Sequence, residues 1–266
     1  MISRHQFETI VKSLIPTMYQ AGDAIMEIFK GDDVEVSHKA DTSPVTRADQ
    51  VSEAIIHEAL GKVLPGVMVI AEEHASTFGL PDDAENQFLL VDPLDGTREF
   101  VKKGTDFTVN IALIQNGAPV FGLVYAPARD SLYYGFGPGT AQKIEGRDGK
   151  PQAISVRAAP KSLAIVASKS HRNQQTEDYL AHYPGADHVA IGSSLKFCLV
   201  AEGQADLYPR LGNTMEWDTG AGHAVLVAAG GGVFNPDGTP FTYGKPNFRN
   251  DFFVARGDAN LDFVKF

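Results

Sequence analysis

Apolar residues recur at helical spacing from Phe7 through Ile10, Val11 and Leu14 to Met18, Ile25, Ile28 and Phe29. This predicts a helix over residues 4–30 with one face turned to a core. Pro16 falls inside the run and predicts a kink or a break there. Residues 39–46 are turn-rich, with Asp41, Thr42, Ser43 and Pro44, and a second amphipathic helix follows through Val51, Ile55, Ala59 and Leu60. Two short, continuously apolar runs at 67–71 and 88–91 then read as buried strands, and each ends directly in acidic residues. From 108 to 136 the pattern becomes strands broken by turns, and Asn116-Gly117 between two apolar runs is a hairpin signal. Beyond it the spacing predicts a strand over 163–167 and helices over 172–182, 193–203 and 218–229, the last stopped by Gly230, Gly231 and Gly232. Gly, Asp, Pro and Lys cluster near 146–160. We therefore expect an α+β N-terminal half (1–150) and an α/β C-terminal half (151–266), packed as one unit.

Composition narrows the function more than the fold. With 266 residues and 43% hydrophobic content the chain can bury a sizeable core. Its formal charge is −10, from 33 acidic and 23 basic residues, and no basic stripe interrupts it. A general nucleic-acid binder shows the opposite balance, so no nucleic-acid partner is expected. Acidity does not exclude an anionic substrate, because bound divalent cations invert the local field. The lone cysteine, Cys198, allows no intrachain disulfide and fits a reducing compartment. Its neighbours Phe197, Leu199 and Val200 make it a buried helix position rather than a nucleophile. The opening Met1-Ile2-Ser3-Arg4-His5-Gln6 carries no secretory signal, and no apolar run reaches the ~20 residues of a membrane span. The expectation is a cytoplasmic protein, monomer or weak homodimer. Peripheral attachment to the cytoplasmic face of the inner membrane is left open.

The chemistry concentrates in Val91-Asp92-Pro93-Leu94-Asp95-Gly96-Thr97. An apolar strand delivers Asp92, Pro93 fixes the backbone, and Asp95 follows three residues on. Such a turn can aim two carboxylates and the Leu94 carbonyl at one point, an all-oxygen set suited to Mg²⁺, Ca²⁺ or Mn²⁺ rather than zinc. The same acids can also simply cap a turn before a helix. Glu72 and Glu73 end the other apolar strand, and Asp218 follows Trp217 at an apolar helix start. Two carboxylates ~4 Å apart repel by about 4 kcal/mol at an effective dielectric near 20. Glu72, Asp92, Asp95 and Asp218 can therefore converge only around cations or with protons bound. Two Mg²⁺ ions would balance them and leave room for phosphate.

Asp92-Pro93-Leu94-Asp95-Gly96-Thr97, with Glu72-Glu73 upstream and Trp217-Asp218 and Ala221-Gly222 downstream, resembles the inositol monophosphatase superfamily. Lys39-Ala40-Asp41 with Ser43-Pro44-Val45-Thr46, Phe107-Thr108-Val109-Asn110-Ile111-Ala112 and Ser168-Lys169-Ser170-His171 are similar to its 3'(2'),5'-bisphosphate nucleotidase branch. The resemblance spans nearly the whole chain. It implies a layered α-β-α-β-α sandwich of the inositol monophosphatase and fructose-1,6-bisphosphatase type, and Mg²⁺-dependent hydrolysis of a small phosphomonoester. It also implies roles. Glu72, Asp92 and the Leu94 carbonyl would hold one Mg²⁺, while Asp92, Asp95 and Asp218 would hold a second. Asp49 would pair with the Thr97 hydroxyl to orient and deprotonate the attacking water, and Gly96 and Thr97 would donate to the scissile phosphate.

Candidates for the rest of the substrate are Ser193, Ser194 and Lys196, at a loop entering a helix, with Arg210 after Tyr208-Pro209 and Ser168 and His171 at a strand end. Inositol monophosphatases carry an acid several positions before the Trp-Asp pair to hold sugar hydroxyls. The matching position here is Leu211, with Glu216 close by. Loss of that acid beside two cations favours a doubly phosphorylated substrate, and the branch implies adenosine 3',5'-bisphosphate, a by-product of sulfate assimilation. The competing readings are an inositol or other sugar monophosphatase and a noncatalytic nucleotide-binding protein on the same scaffold.

Overall fold

The first apolar stripe folds into one uninterrupted helix, α1 (Arg4–Lys30), with Pro16 inside it. The expected break is absent because Pro16 and Lys12, whose carbonyl loses its partner, are both exposed. Water can serve that carbonyl, while Val11, Leu14, Met18 and Ile25 keep one buried face across the proline. The structure, a computed structural model, describes residues 4–31, 37–38, 44–169 and 173–266. The turn residues Lys39 to Ser43, and also Ser170, His171 and Arg172, lie outside these.

After α1 come a two-residue antiparallel pair, β1 (Ser37–His38) and β2 (Pro44–Val45), and then α2 (Arg47–Val63). The next stretch builds a seven-stranded sheet. Its strands are β3 (Met68–Ala71), β4 (Gln87–Asp95), β5 (Thr108–Gln115), β6 (Ala118–Ala126), β7 (Ser131–Gly135), β8 (Gln142–Glu145) and β9 (Gln152–Ala153), in that spatial order. Two short helices, α3 (Glu72–Phe78) and α4 (Thr97–Val101), interrupt it. β3 and β4 run parallel and the remaining neighbours antiparallel. The β5–β6 hairpin turns on Asn116 and Gly117, both at positive φ (50° and 76°), as the Asn-Gly pair predicts.

The second sheet has five strands in the order β11-β10-β12-β16-β14. They are β10 (Ala164–Ser168), β11 (Asp187–Ile191), β12 (Leu207–Arg210), β14 (Gly232–Phe234) and β16 (Phe253–Arg256). A short pair, β13 (Thr214–Met215) with β15 (Arg249–Asn250), sits apart from it. The helices of this half are α5 (Gln174–Leu180), α6 (Leu195–Ala201) and α7 (Gly220–Ala228). Each starts two residues later than the sequence expectation, and for α5 and α7 the local reason is visible. The Asn173 side chain accepts from Thr176 N–H at 2.9 Å and fixes where α5 begins. Asp218 belongs to a 3₁₀ turn (Glu216–Asp218) ahead of α7 and accepts from Met215 N–H at 2.8 Å.

Side-chain alternation along the strands defines the layers. Leu89, Val91, Ile111, Leu113 and Leu123 share a buried cluster with α1 and α2. Their neighbours Phe88, Leu90, Ala112, Ile114 and Val124 face the other way and pack with α6, α7 and the inner face of the second sheet (Val166, Tyr208, Phe253, Ala255). Ile165, Ala167, Leu207 and Val254 on its outer face cover Tyr179 and Leu180 of α5. The order is α-β-α-β-α. Close contact holds the middle layer in place, since a Cβ at Gly122 of β6 would sit 2.4 Å from the Ala221 carbonyl oxygen of α7. Cys198 lies buried in α6 among these apolar residues, and burial pushes its thiol well above the usual range. Among the described residues no helix is long and apolar enough to cross a membrane.

Candidate active site: an acidic pocket at the strand ends

Parallel strands deliver their C-termini to one edge, and both sheets use this. In β3 and β4, Ala71 lies opposite Val91, so Glu72 and Asp92 emerge side by side. The β4–β5 ladder slips between Asp92 and Asp95, where Pro93 has no N–H to give. That irregularity turns the chain, and the Asp92 carboxylate accepts from Leu94 N–H at 3.0 Å inside it. Gly96 then adopts φ 94°, and a Cβ there would lie 2.8 Å from the Asp106 carbonyl oxygen. From the second sheet, β10, β11 and β12 bring Ser168, Gly192-Ser193 and Arg210 to the same place. The result is a cavity of about 250 Å³ lined from the first half of the chain by Glu72, Asp92, Leu94, Asp95, Gly96 and Thr97. Ser168, Ser193, Lys196, Arg210 and Asp218, from the second half of the chain, complete the lining.

Glu72, Asp92 and Asp218 each offer an oxygen within 4.8 Å of the others. Asp95 stands just outside this trio, on the pocket wall. Burial first, and then the charges of Glu72, Asp95 and Asp218, hold the Asp92 carboxyl well above the usual range. Burial, Asp95 and Glu72 push Asp218 up to about 8. Burial raises Asp95 too, against the pull of Lys196 and of the Ser194 N–H and hydroxyl. Three converging carboxylates with this much uncompensated charge fit a hard divalent cation with oxygen ligands.

Asp49 and Thr97 are brought together from segments 48 residues apart. The Thr97 hydroxyl lies 3.3 Å from Asp49 Oδ1 and 3.1 Å from the Leu94 carbonyl oxygen. Asp49 Oδ2 accepts from the Thr46 N–H and hydroxyl, both at 2.7 Å, closing a capping box at the head of α2. Burial, reinforced by Glu73 and Glu72 and opposed by the two Thr46 bonds, pushes the Asp49 carboxyl up to about 7. Asp49 is 2% exposed and does not line the cavity. Its access to anything in the pocket runs through Thr97.

The specificity candidates separate. Lys196 is 5% exposed, donates to the Ser193 carbonyl at 2.6 Å and lies over the Tyr208 ring. Burial lowers its ammonium to about 8 against the pull of Asp95, with Arg210 adding repulsion and Asp218 attraction. Arg210 is half-buried and donates to the Asn213 carbonyl at 3.0 Å. Ser194 does not line the cavity. It is 1% exposed, donates to the Asp218 carbonyl at 2.8 Å and accepts from the Asn110 amide, so it braces the turn that carries Asp218. His171 falls outside the described residues. Asn213, Thr214, Thr219, Tyr208 and Glu99 also line the pocket and were not singled out from sequence. The closeness of Asn213-Thr214 to Arg210 was the available signal.

Leu211 and Glu216 do not face the cavity either. Leu211 is core, while the Glu216 carboxylate is fully buried. It accepts from Gly244 N–H and Lys245 N–H, both at 2.9 Å, and pairs with the Lys245 ammonium at 3.0 Å.

An α-β-α-β-α fold with strand-end acids around one pocket defines a family of phosphatases, and the inositol monophosphatase family model matches residues 6–251. The chain belongs to that family. Within it, the chain is similar to the 3'(2'),5'-bisphosphate nucleotidase CysQ of Salmonella typhimurium, 46% identical over 224 residues that make up 84% of this chain and 89% of that protein. The Escherichia coli protein of the same name matches with the same identity and coverage. Among solved structures, CysQ from Bacteroides thetaiotaomicron superposes with a TM-score of 0.78 at 35% identity, covering 94% of this chain and 98% of that one.

Proposed function

We propose that this chain is a Mg²⁺-dependent 3'(2'),5'-bisphosphate nucleotidase. It hydrolyses adenosine 3',5'-bisphosphate to AMP and phosphate, and so recycles a by-product of sulfate assimilation in the cytoplasm. The observation that carries the reading is one pocket that sets Glu72, Asp92 and Asp218 within 4.8 Å of one another and faces them with Lys196 and Arg210. The support for the substrate class comes from the nucleotidase relatives. It comes also from the missing polyol-binding acid, since Leu211 is core and Glu216 is spent on Gly244 and Lys245.

Glu72, Asp92, the Leu94 carbonyl, Asp95 and Asp218 would hold two Mg²⁺ ions. When bound, these supply Lewis-acid activation of water and stabilisation of the leaving oxygen. The chain's own groups do the rest. Thr97 Oγ1 stands between the cavity and Asp49 Oδ1, placed to pass a proton from the attacking water to a buried carboxylate poised near 7, as a general base requires. The Leu94 carbonyl, 3.1 Å from the same hydroxyl, is the alternative acceptor for its single proton, which must point to Asp49 for the relay to run. Gly96 and Thr97 sit on the wall where the reacting phosphate would lie. Arg210, Ser168 and Ser193, which line the same pocket, would hold the phosphate that is bound and not transferred. Lys196, on the same pocket, is close enough to Asp95 and Asp218 to offset part of their charge.

Phosphate release from a panel of adenosine 3',5'-bisphosphate, 3'-AMP and inositol 1-phosphate, with and without Mg²⁺, tests the proposal. The bisphosphate should be turned over with the highest kcat/KM, and only with the metal. Preference for inositol 1-phosphate would overturn the substrate, and turnover after exhaustive chelation would overturn the metal requirement.

A further inference from the structure

The first turn of α3 is unusual in where its backbone donors go. A helix leaves its first N–H groups without intrahelical partners. Here the N-cap is Ala71, which has no side-chain acceptor, and no side-chain cap is made from that position. The acceptor comes instead from α2. The Glu53 carboxylate takes the Glu73 N–H at 2.7 Å through Oε2 and the His74 N–H at 2.8 Å through Oε1. One carboxylate therefore clasps the turn that begins with Glu72.

Glu53 stands one helical turn beyond Asp49, and Ser52 lies between them on nearly the same face. The Ser52 hydroxyl, fully buried, donates to the Pro93 carbonyl at 2.8 Å. The head of α2 thus reaches three pieces of the pocket at once. Asp49 meets Thr97, Ser52 meets the turn between Asp92 and Asp95, and Glu53 meets the start of α3. These pieces belong to separate segments, and nothing in the β3–β4 ladder beyond Ala71 and Val91 sets the spacing of Glu72 from Asp92.

We propose that Glu53 is a positioning residue for metal binding. By clasping the Glu73 and His74 amides, it holds the Glu72 carboxylate at the distance from Asp92 and Asp218 that a divalent cation needs. It touches neither substrate nor metal. The inference rests on the proposed metal site, and its prediction is a loss of cation affinity of the size that removal of outer-shell support produces, about 10–100-fold.

The test is Mn²⁺ binding to the substrate-free protein, followed by electron paramagnetic resonance, alongside the Mg²⁺ concentration dependence of turnover. Four variants are compared with wild type: Glu53→Ala, Glu53→Gln, Glu53→Asp and, as an exposed control on the same helix, Glu58→Ala. The expected result is Mn²⁺ binding weakened about 10–100-fold in Glu53→Ala, less so in Glu53→Gln, which keeps one acceptor. The Mg²⁺ needed for half-maximal rate should rise in parallel, and kcat at saturating Mg²⁺ should largely recover. Glu58→Ala should match wild type. Glu53→Asp keeps the charge and withdraws the clasp by one methylene, so it should fall with Glu53→Ala. Wild-type binding in Glu53→Asp beside a large loss in Glu53→Gln would assign the effect to charge alone and overturn the positioning role. So would an unchanged Mn²⁺ affinity in Glu53→Ala, whatever its melting temperature. A wild-type protein that bound no Mn²⁺ would overturn the metal site itself, a separate failure.

Discussion

Replacing Asp49 by Asn changes one oxygen for an amide nitrogen in a place where every partner is known. The Asn oxygen can take over the Thr46 N–H and hydroxyl, both now 2.7 Å from Oδ2, and keep the cap on α2. Its NH₂ group then falls where Oδ1 stands, 3.3 Å from the Thr97 hydroxyl, and donates to it. Thr97 is left with its own proton on the Leu94 carbonyl at 3.1 Å and with no base to which it can pass another. The pocket keeps its shape and loses only proton transfer. General-base help is worth about 10²–10⁴-fold, or about 2.7–5.5 kcal/mol of barrier. Folding should not suffer. Burial raises the Asp49 carboxyl to about 7, so above that pH the wild type carries a desolvated charge that Asn lacks. The assay is kcat for adenosine 3',5'-bisphosphate at saturating Mg²⁺, with the Mg²⁺ dependence and melting temperature of each protein. Thr97→Val should lose a similar factor, and the double variant should be little worse than either, because the two act as one unit. An Asp49→Asn enzyme with more than a tenth of wild-type kcat, folded and saturated with Mg²⁺, would refute the proton path.

Asp92→Asn should abolish both tight divalent-cation binding and turnover, since Asp92 belongs to the acidic trio and feels the charges of Glu72, Asp95 and Asp218; retained Mn²⁺ affinity would remove it from the ligand set. Arg210→Ala should lower kcat/KM for the bisphosphate about tenfold to a hundredfold, from a charge-assisted contact of roughly 1.5–3 kcal/mol. It should spare 3'-AMP, and equal losses would move Arg210 to the scissile phosphate. Lys196→Ala should impair both substrates, because it also strips Asp95 and Asp218 of a buried counter-charge; a loss confined to the bisphosphate would contradict that placement. Burial lowers the His223 imidazole to about 3. Its contribution to stability is therefore fully present above pH 6.5 and lost as pH falls toward 3, about 2 kcal/mol at pH 5. Urea denaturation at pH 7.5 and 5 should show a smaller pH effect in His223→Leu, and equal slopes would exclude His223 as the cause.

Period and turn chemistry are local properties, and they determined much of this protein. The 3.6-residue spacing in residues 4–30, the Asn116-Gly117 hairpin and the two apolar strands ending in acids all formed where the pattern placed them. The turn expected at Asp92-Pro93-Leu94-Asp95 is instead an irregularity within β4, which pairs again at Asp95 after Pro93 withholds a ladder bond. Pro16 shows the limit. Whether a proline breaks a helix depends on which face its lost bond exposes, and α1 was docked on the sheet by residues far away in the chain. The acids could be named from sequence, while the convergence of Glu72, Asp92 and Asp218 within 4.8 Å required the 3₁₀ turn ahead of α7 to be packed against the ends of β3 and β4. Burial also decided roles that residue type left open. Ser194 and Glu216 were turned inward to brace backbone, Lys196 was sunk beside the acids, and Arg210 was left at the wall. Glu53 was an ordinary helical acid in the sequence, because its partners, the amides of Glu73 and His74, lie 20 and 21 residues on, and only packing of α2 against α3 brings them into reach.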